Sequence, residues 1–197
     1  MAKRIFDFFF ALVGTVVSAP VLLLCAAVIK LTSDGPVFYR GLRIGLNGKP
    51  FRIFKFRTML VDAERLGGTS TSKDDKRITW VGKVIRAYKF DEFPQLFNVL
   101  AGDMSFVGPR PQVEWAVKLY NIEERRLLSV RPGITDYASI AFRNEAEILA
   151  GSKDPDKDYL EKIAPKKIQL GLQYVDNHNL WIDLKIILAT LHVVIFG

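Results

Sequence analysis

Hydrophobic positions crowd the two ends of the chain, and the region between them alternates short apolar and polar runs. Residues 5–31 are apolar apart from Asp7, Thr15, Ser18 and Lys30. As a helix this stretch would measure about 40 Å, long enough to cross a bilayer. It is too long for a signal peptide, and no small-residue cleavage site follows it. Pro20, two residues after Ser18, falls mid-run, where it removes a backbone hydrogen bond and bends a helix. Lys3 and Arg4 precede the run, and Lys30, Arg40 and Arg43 end or follow it. Basic flanks stay on the cytoplasmic side, so both ends are expected there. Asp7 needs a partner in an apolar setting, and Arg4, one turn earlier, is expected to supply it. The pattern predicts a re-entrant helix-break-helix over residues 1–31, hinged at Ser18 and Pro20, with a kinked spanning helix as the alternative. Residues 181–196 form a second apolar run, short for a span. With Trp181 at its edge, it predicts a helix lying in the membrane interface or packed on the first.

Between these ends the periodicity shortens. Gly35-Pro36 opens an extended run over 37–40, Asn47-Gly48 is a hairpin turn, and residues 51–56 alternate aromatic or aliphatic with basic. Residues 61–76 are mostly polar, carry Gly67-Gly68 and predict a loop after a short helical turn, either of the kind that serves as a lid or simply disordered. Residues 79–90 predict a basic helix, or a strand and helix, bringing Lys83, Arg86 and Lys89 toward the acids that follow. A single helix is expected over 113–130, ended by Arg131-Pro132-Gly133, and Pro155 and Pro165 are each placed to start a helix.

The chemistry concentrates in residues 90–111, FDEFPQLFNVLAGDMSFVGPRP. Pro94 and Gly102 bracket a short helix of about 94–101, so Asp91 and Glu92 stand at its N-terminus. There the helix dipole favours negative charge, lowers a carboxylate pKa and makes a site for a cation-bridged phosphate. A plain capping role is the alternative. Asp103 follows the helix, and Pro109 and Pro111 stiffen the turn that presents Arg110, a candidate phosphate or nucleotide clamp. Arg86 reads as a diphosphate ligand or as a neutraliser of the acids. Arg143 reads as a phosphate ligand or as half of a salt bridge with Glu145.

Composition narrows the classes. The chain has 197 residues, a net charge of +7 and 49% hydrophobic residues. That suits one unit, 32–197, joined to the membrane element 1–31, with an anionic partner. The only cysteine, Cys25, lies in the apolar run and the two histidines are far apart, which excludes a disulfide framework and a Cys/His metal site. His192 is expected at the surface. Phe-Lys-Phe-Arg at 54–57 could stack bases, but no second such strand follows, so nucleic acid is not expected as a partner. No Walker loop, serine elbow or dinucleotide fingerprint occurs. Three classes remain: a transferase bringing together two anionic substrates, one of them a lipid, a metal-dependent membrane phosphohydrolase, and a non-catalytic module for anionic lipid or nucleic acid. An acceptor that is itself a phosphate would already be ionised near neutral pH and need no general base, which would favour a covalent role for one of the two acids.

The run at 90–111 resembles the signature of the bacterial sugar transferases, monotopic phosphoglycosyl transferases that move a sugar phosphate from a UDP-sugar to a polyprenol phosphate. KFRTM at 55–59, DKRITWVGKVIR at 75–86 and RPGIT at 131–135 stand in that family's order. The resemblance implies an α/β fold, mostly helical with short antiparallel strands, and a re-entrant helix broken at its Ser-Pro region. Here Ala19 separates those two residues. It also implies Asp91 as nucleophile and Mg2+ ligand and Glu92 as supporting acid. Lys55 and Arg57 would line the site, Arg110 would lie near the nucleotide, and Arg131 would fall in a substrate-binding motif. The expected partners are a UDP-sugar, undecaprenyl phosphate and phospholipid at the cytoplasmic face of a bacterial inner membrane, in the first membrane step of glycoconjugate assembly. The chain resembles the short, catalytic-unit form; homodimerisation is open. After Thr135 the chain departs from the family pattern with Asp136-Tyr137-Ala138-Ser139-Ile140, where the resemblance implies sugar or nucleotide contacts, and this leaves the sugar unassigned.

Overall fold

The apolar N-terminal run folds as one helix, α1 (Ala2–Thr32), in a computed structural model that describes residues 1–66, 70–72 and 74–196. The helix continues through Ser18 and Pro20 without the break expected there. Pro20 deprives the carbonyl one turn earlier of its donor, and Ser18 Oγ donates to the Gly14 carbonyl at 2.6 Å, which keeps the neighbouring turn bonded. One side of α1 packs along the body of the protein. Ala11 joins Leu96, Val99 and Met104, while Leu22, Cys25 and Ile29 join Phe56, Val81 and Ile85. The other side, with Ile5, Phe8, Phe9, Leu12, Val16, Val17, Leu23 and Leu24, is exposed.

The polar residues of the first turn fasten α1 differently from expectation. Asp7, buried, lies 4.0 Å from Lys3 and accepts from the Phe106 backbone N–H at 3.2 Å. Arg4 instead donates to the carbonyls of Val99 (2.6 Å) and Leu100 (3.0 Å). Those carbonyls lie in the last turn of a helix, where the Val99 oxygen has only the Gly102 cap N–H at 3.1 Å, so a guanidinium completes the helix end there. Lys3 also reaches the buried Asp183 at 2.6 Å.

Two antiparallel pairs follow. β1 (Phe38–Tyr39) pairs with β4 (Lys55–Phe56), and β2 (Leu42–Ile44) pairs with β3 (Pro50–Arg52). The connection between β2 and β3 passes through Asn47 (φ 55°) and Gly48 (φ 75°), as the Asn-Gly pair predicts. The expected lid falls partly on Gly67, Gly68, Thr69 and Lys73, which lie outside the described residues.

The Thr79 hydroxyl accepts from Gly82 N–H (2.9 Å) and starts α2 (Trp80–Ala87). A Cβ at Gly82 would stand 2.0 Å from the Thr58 carbonyl oxygen, so only glycine lets α2 approach this closely. α2 exposes Trp80 and Val84, and its C-terminal cap Tyr88 continues the same four-residue spacing. Its neighbours Lys83 and Lys89 are exposed too, so of the three cations expected near the acids only Arg86 turns inward.

A short 3-10 turn, Phe90–Glu92, leads into α3 (Gln95–Ala101), which Gly102 ends at φ 94°. β5 (Ser105–Val107) pairs with β6 (Gly133–Thr135) in parallel, where only antiparallel pairs were expected. A long crossover separates these strands, and Gly108 and Gly133 let their backbones meet, since a Cβ on Gly133 would lie 2.1 Å from Gly108 N. Within that crossover the helix expected over 113–130 is divided into α4 (Glu114–Lys118) and a 3-10 stretch, Glu124–Ser129. Asn121 and Glu124 exchange side-chain to backbone bonds of 2.9 Å, a capping box that starts a new turn and so ends the old one.

The remaining elements are α5 (Tyr137–Ala141), α6 (Glu145–Ile148), α7 (Pro155–Lys162), α8 (Ala164–Asn177) and α9 (Leu180–Phe196). Pro155 and Pro165 occupy first turns, as predicted. α9 lies against α5, β5 and β6, with Asp183 buried under Tyr174, whose hydroxyl donates to Asp183 at 2.7 Å. Trp181, Leu188, Leu191, Val194 and Phe196 stay exposed, and so does His192. The architecture is mostly helical with a few short strands and one long apolar N-terminal helix, the only helix among the described residues long and apolar enough to cross a membrane.

Candidate active site

Three local features bring the acids into place. Lys89, at φ 57°, reverses the chain after α2, and Phe90 stacks on Tyr88 and meets Phe93 edge-on. The 3-10 turn carrying Asp91 and Glu92 then rests on β4, where Lys55 lies. The acids therefore precede α3 by a turn of their own and do not cap it. Asp103, the third acid of the motif, sits at the far end of α3, where it accepts from Asn98 Nδ2 at 3.3 Å.

Glu92 is held from two sides: Lys55 Nζ stands 3.2 Å from Oε1, and Arg110 Nη2 donates to the same oxygen. Arg110 Nη1 also donates to the Ile134 carbonyl at 3.1 Å. The turn that aims it is fixed by Gly108 N–H to the Thr135 carbonyl and Gly133 N–H to the Pro109 carbonyl, each 3.1 Å, with Pro109 and Pro111 buried. Burial alone would raise the Glu92 pKa, yet Arg110 and Lys55 prevail and hold it far below the usual range. Arg110 is in turn held cationic by Glu92 against the effect of its own burial. Lys55 is shifted down by burial, which Glu92 opposes.

Asp91 is only 8% exposed, and among the described residues no hydrogen bond reaches its carboxylate. Burial raises its pKa, with the neighbouring charge of Glu92 adding to that and Lys55, Arg86 and Arg110 opposing it. The helix dipole was expected to lower this pKa; the acid is instead desolvated before α3 begins. Arg86 Nε donates to Thr58 Oγ1 at 2.8 Å, which fixes a second guanidinium in the field of Asp91. Gln95, four residues on, is wholly buried with neither amide atom hydrogen-bonded.

Arg57, Arg131, Ser18 and Pro20 are engaged in other ways. Arg57 is buried, with Nε on the Pro36 carbonyl (2.6 Å) and Nη2 on Ser33 O and Oγ (3.0 and 2.9 Å), so it pins the chain leaving α1. Arg131 Nε donates to the Gly102 carbonyl at 2.9 Å, closing the end of α3. Arg143 makes no ion pair among the described residues; Glu145 pairs with Lys167. Ser18 and Pro20 lie inside α1.

Beyond Arg110 opens a cleft of about 220 Å³ whose wall includes Gln112, Tyr120, Asp136, Ser139 and Tyr159. Asp136 and Ser139 fall in the departure after Thr135, where sugar or nucleotide contacts were expected; Gln112, Tyr120 and Tyr159 were not singled out as site residues from the sequence. Asp136 and Ser139 carried a readable signal, since an acid three residues before an acceptable helix position is a capping pattern, and Asp136 does accept from Ser139 N–H at 2.6 Å. Gln112 and Tyr159 come from distant segments and gave none.

A desolvated carboxylate facing fixed cations, on a protein with a long apolar helix laid along it, defines a class: a membrane-associated protein with a site for phosphate chemistry. The chain belongs to the bacterial sugar transferase family, whose model matches residues 1–197. It is 37% identical to EpsL of Bacillus subtilis, named an uncharacterized sugar transferase, over 98% of this chain and 87% of that protein. It is 39% identical to the UDP-glucose:undecaprenyl-phosphate glucose-1-phosphate transferase of Klebsiella pneumoniae over 95% of this chain, but spans 39% of that protein's length. The exopolysaccharide production protein ExoY of Rhizobium meliloti is 36% identical over 97% of this chain and 84% of its own.

Proposed function

We propose that the protein transfers a sugar 1-phosphate from a UDP-sugar to undecaprenyl phosphate at the cytoplasmic face of the membrane, through a covalent phosphosugar on Asp91. The observation that carries the reading is the division of labour between adjacent acids. Glu92 is held through one carboxylate oxygen by both Arg110 and Lys55, whereas Asp91 is desolvated, set among cations and, among the described residues, without a hydrogen bond to its carboxylate. In the first half-reaction an Asp91 carboxylate oxygen bonds to the β-phosphorus, and the bond from that phosphorus to the bridging oxygen breaks. UMP leaves with the electron pair. In the second, an oxygen of the lipid phosphate attacks the same phosphorus and the Asp91 carboxylate departs, giving the lipid diphosphate sugar. A raised pKa makes Asp91 a stronger nucleophile and a poorer leaving group, so the cations around it matter most in the second step.

The donor set suits Mg2+. Asp91 is the residue that would hold it, and no group of three acidic, His or Cys side chains surrounds it among the described residues. Mg2+ binds through one or two carboxylates with waters and substrate phosphates, which fits one unengaged acid. When bound, the ion would neutralise diphosphate charge beside two acids. Lys55, Arg86 and Arg110 would orient that diphosphate.

A membrane location on one face is supported by how α1 is fastened. Its first turn is tied by Lys3 and Arg4, and the chain leaving it is tied by Arg57 to Ser33, so both ends meet the same globular body. The exposed faces of α1, α2 and α9 carry the aromatic and aliphatic groups that suit a lipid interface. We read this as a helix whose two ends lie on the same side of the membrane.

The test is transfer itself. Detergent-solubilised protein, labelled UDP-sugars and undecaprenyl phosphate should give a label extractable into organic solvent, lost in EDTA and restored by Mg2+. Release of free sugar phosphate without lipid product would favour a phosphohydrolase, and full activity in EDTA would exclude the metal.

A further inference from the structure

We infer that Gln95 is a positioning residue for Asp91, its amide N–H receiving the Asp91 carboxylate as the phosphosugar leaves it, a role that rests on the covalent reading above. Gln95 is wholly buried, and among the described residues it is the one side chain with two buried polar atoms, Nε2 and Oε1, that meet no hydrogen-bond partner. A buried amide left in this state costs stability, and such groups are rare in folded proteins. Where a chain keeps one a single turn from a reactive carboxylate, the exception points to function.

The helix sets the direction of the amide. Phe93 (φ −55°, ψ −38°) and Pro94 (φ −61°, ψ −13°) keep the backbone helical between the acidic turn and α3, so Gln95 follows Asp91 by one turn on the same side. Long side chains on a helix lean toward its N-terminus, over the residues three and four positions earlier. For Gln95 those residues are Glu92 and Asp91. Asn98, three positions later on that side, gives the contrast. Its Oδ1 accepts from Phe54 N–H at 2.7 Å and its Nδ2 donates to the Arg52 carbonyl at 2.9 Å, which fastens this side of α3 to the segment running into Lys55. Asn98 is satisfied, and Gln95, nearer the acids by almost one turn, is not.

The cations around Asp91 have other partners. Lys55 and Arg110 hold Glu92, Arg110 also holds the Ile134 carbonyl, and Arg86 Nε holds Thr58. Gln95 Nε2 has no such commitment. Hydrogen bonds that act in catalysis are often long in the free protein and tighten once substrate is bound.

Charge decides which half-reaction the amide serves. In the first, the Asp91 carboxylate gives up negative charge as its oxygen bonds to phosphorus, so a donor would not help. In the second, a lipid phosphate oxygen bonds to phosphorus, the bond from phosphorus to the Asp91 oxygen breaks, and its electron pair returns to the carboxylate. No proton moves; Nε2–H donates a hydrogen bond to the oxygen that regains charge. A donor acting there speeds discharge and not attack.

The experiment compares wild type with Gln95→Met, which keeps the length of the side chain and removes the N–H. Detergent-solubilised full chain is given the UDP-sugar that wild type transfers, UMP release and the Asp91 adduct are followed by rapid quench, and undecaprenyl phosphate is then added. The UMP burst should be as fast as in wild type, discharge should slow by about 10- to 100-fold, and the adduct should accumulate during turnover. Tm should be level or higher by a few degrees, because an apolar group replaces two unmet polar atoms. Unslowed discharge overturns the role, as does a burst slowed by the same factor, or a slow discharge accompanied by a lower Tm. If Gln95→Met gives no cooperative melt, Gln95→Leu decides by the same two rates, and loss of the fold in both makes the amide structural and overturns the role. Wild type that makes lipid product without an adduct removes the covalent reading and this role with it. Wild type that makes the adduct, with variants that discharge it normally, overturns the role of Gln95 alone.

Discussion

Glu92 accepts from Arg110 and Lys55, while Asp91 beside it has the same cations in view and no hydrogen bond from them. The two therefore respond to pH with opposite sign. The Glu92 pKa is lowered from 4.5 in the folded state, so its contribution is present above that value and is lost as pH falls through the folded pKa. Glu92→Gln should flatten the acid side of a plot of Tm against pH, and should reduce transfer by about 10- to 100-fold because Arg110 and Lys55 lose their common anchor. The Asp91 pKa is raised above 3.8, so its contribution is complete below 3.8 and is lost as pH rises through the folded value. Asp91→Asn should thus raise Tm at neutral pH by a few degrees while lowering transfer by about a thousandfold or more. A lower Tm for Asp91→Asn would contradict the desolvation argument. Arg57 belongs to another kind of residue. Its guanidinium holds three oxygens of the chain leaving α1, and Arg57→Ala should cost about 2–4 kcal/mol in denaturant unfolding, with KM for UDP-sugar little changed in the fraction that folds. A large KM effect without a stability loss would return it to the substrate site.

Elements whose signals are local were legible in the sequence, and those assembled from distance were not. Pro94 and Gly102 bracket α3 within a residue, because φ near −65° and a left-handed C-terminal residue are local requirements. Asn47-Gly48, Pro155 and Pro165 were readable for the same reason. The division of the 113–130 helix was also written locally, in Asn121 and Glu124, but the apolar spacing of Val113, Ala116, Val117 and Tyr120 outweighed it. The parallel pairing of β5 with β6 depends on two glycines in separate segments meeting face to face, which no short window contains. The site divides likewise. Asp91, Glu92, Lys55, Arg86 and Arg110 stood in recognisable motifs and converge. Arg57 and Arg131 stood in motifs too and serve backbone carbonyls instead, a distinction set by what lies opposite them.

At the scale of the whole molecule, the N-terminal helix is part of the body and no detached anchor. The Lys3–Asp183 bond joins residues near opposite ends of the chain, and Asp7 reaches Phe106. Cysteines at Ala2 and Thr32, in a Cys25→Ser background, should both be labelled only from the cytoplasmic side. Periplasmic labelling at position 2 would establish a spanning helix. Asp183→Ala should release Lys3 and Tyr174 together and lower Tm by several degrees, since a buried carboxylate with two partners is removed. An unchanged Tm would mean that the α1–α9 junction contributes little. The central claim, that Asp91 carries the phosphosugar, is tested most directly by rapid-quench mass spectrometry of wild-type enzyme given UDP-sugar without lipid. The expected result is release of up to one equivalent of UMP per enzyme and the added mass of one phosphosugar on the peptide containing Asp91. Lipid product forming at full rate with no such adduct at any quench time would contradict it and leave direct attack by the lipid phosphate.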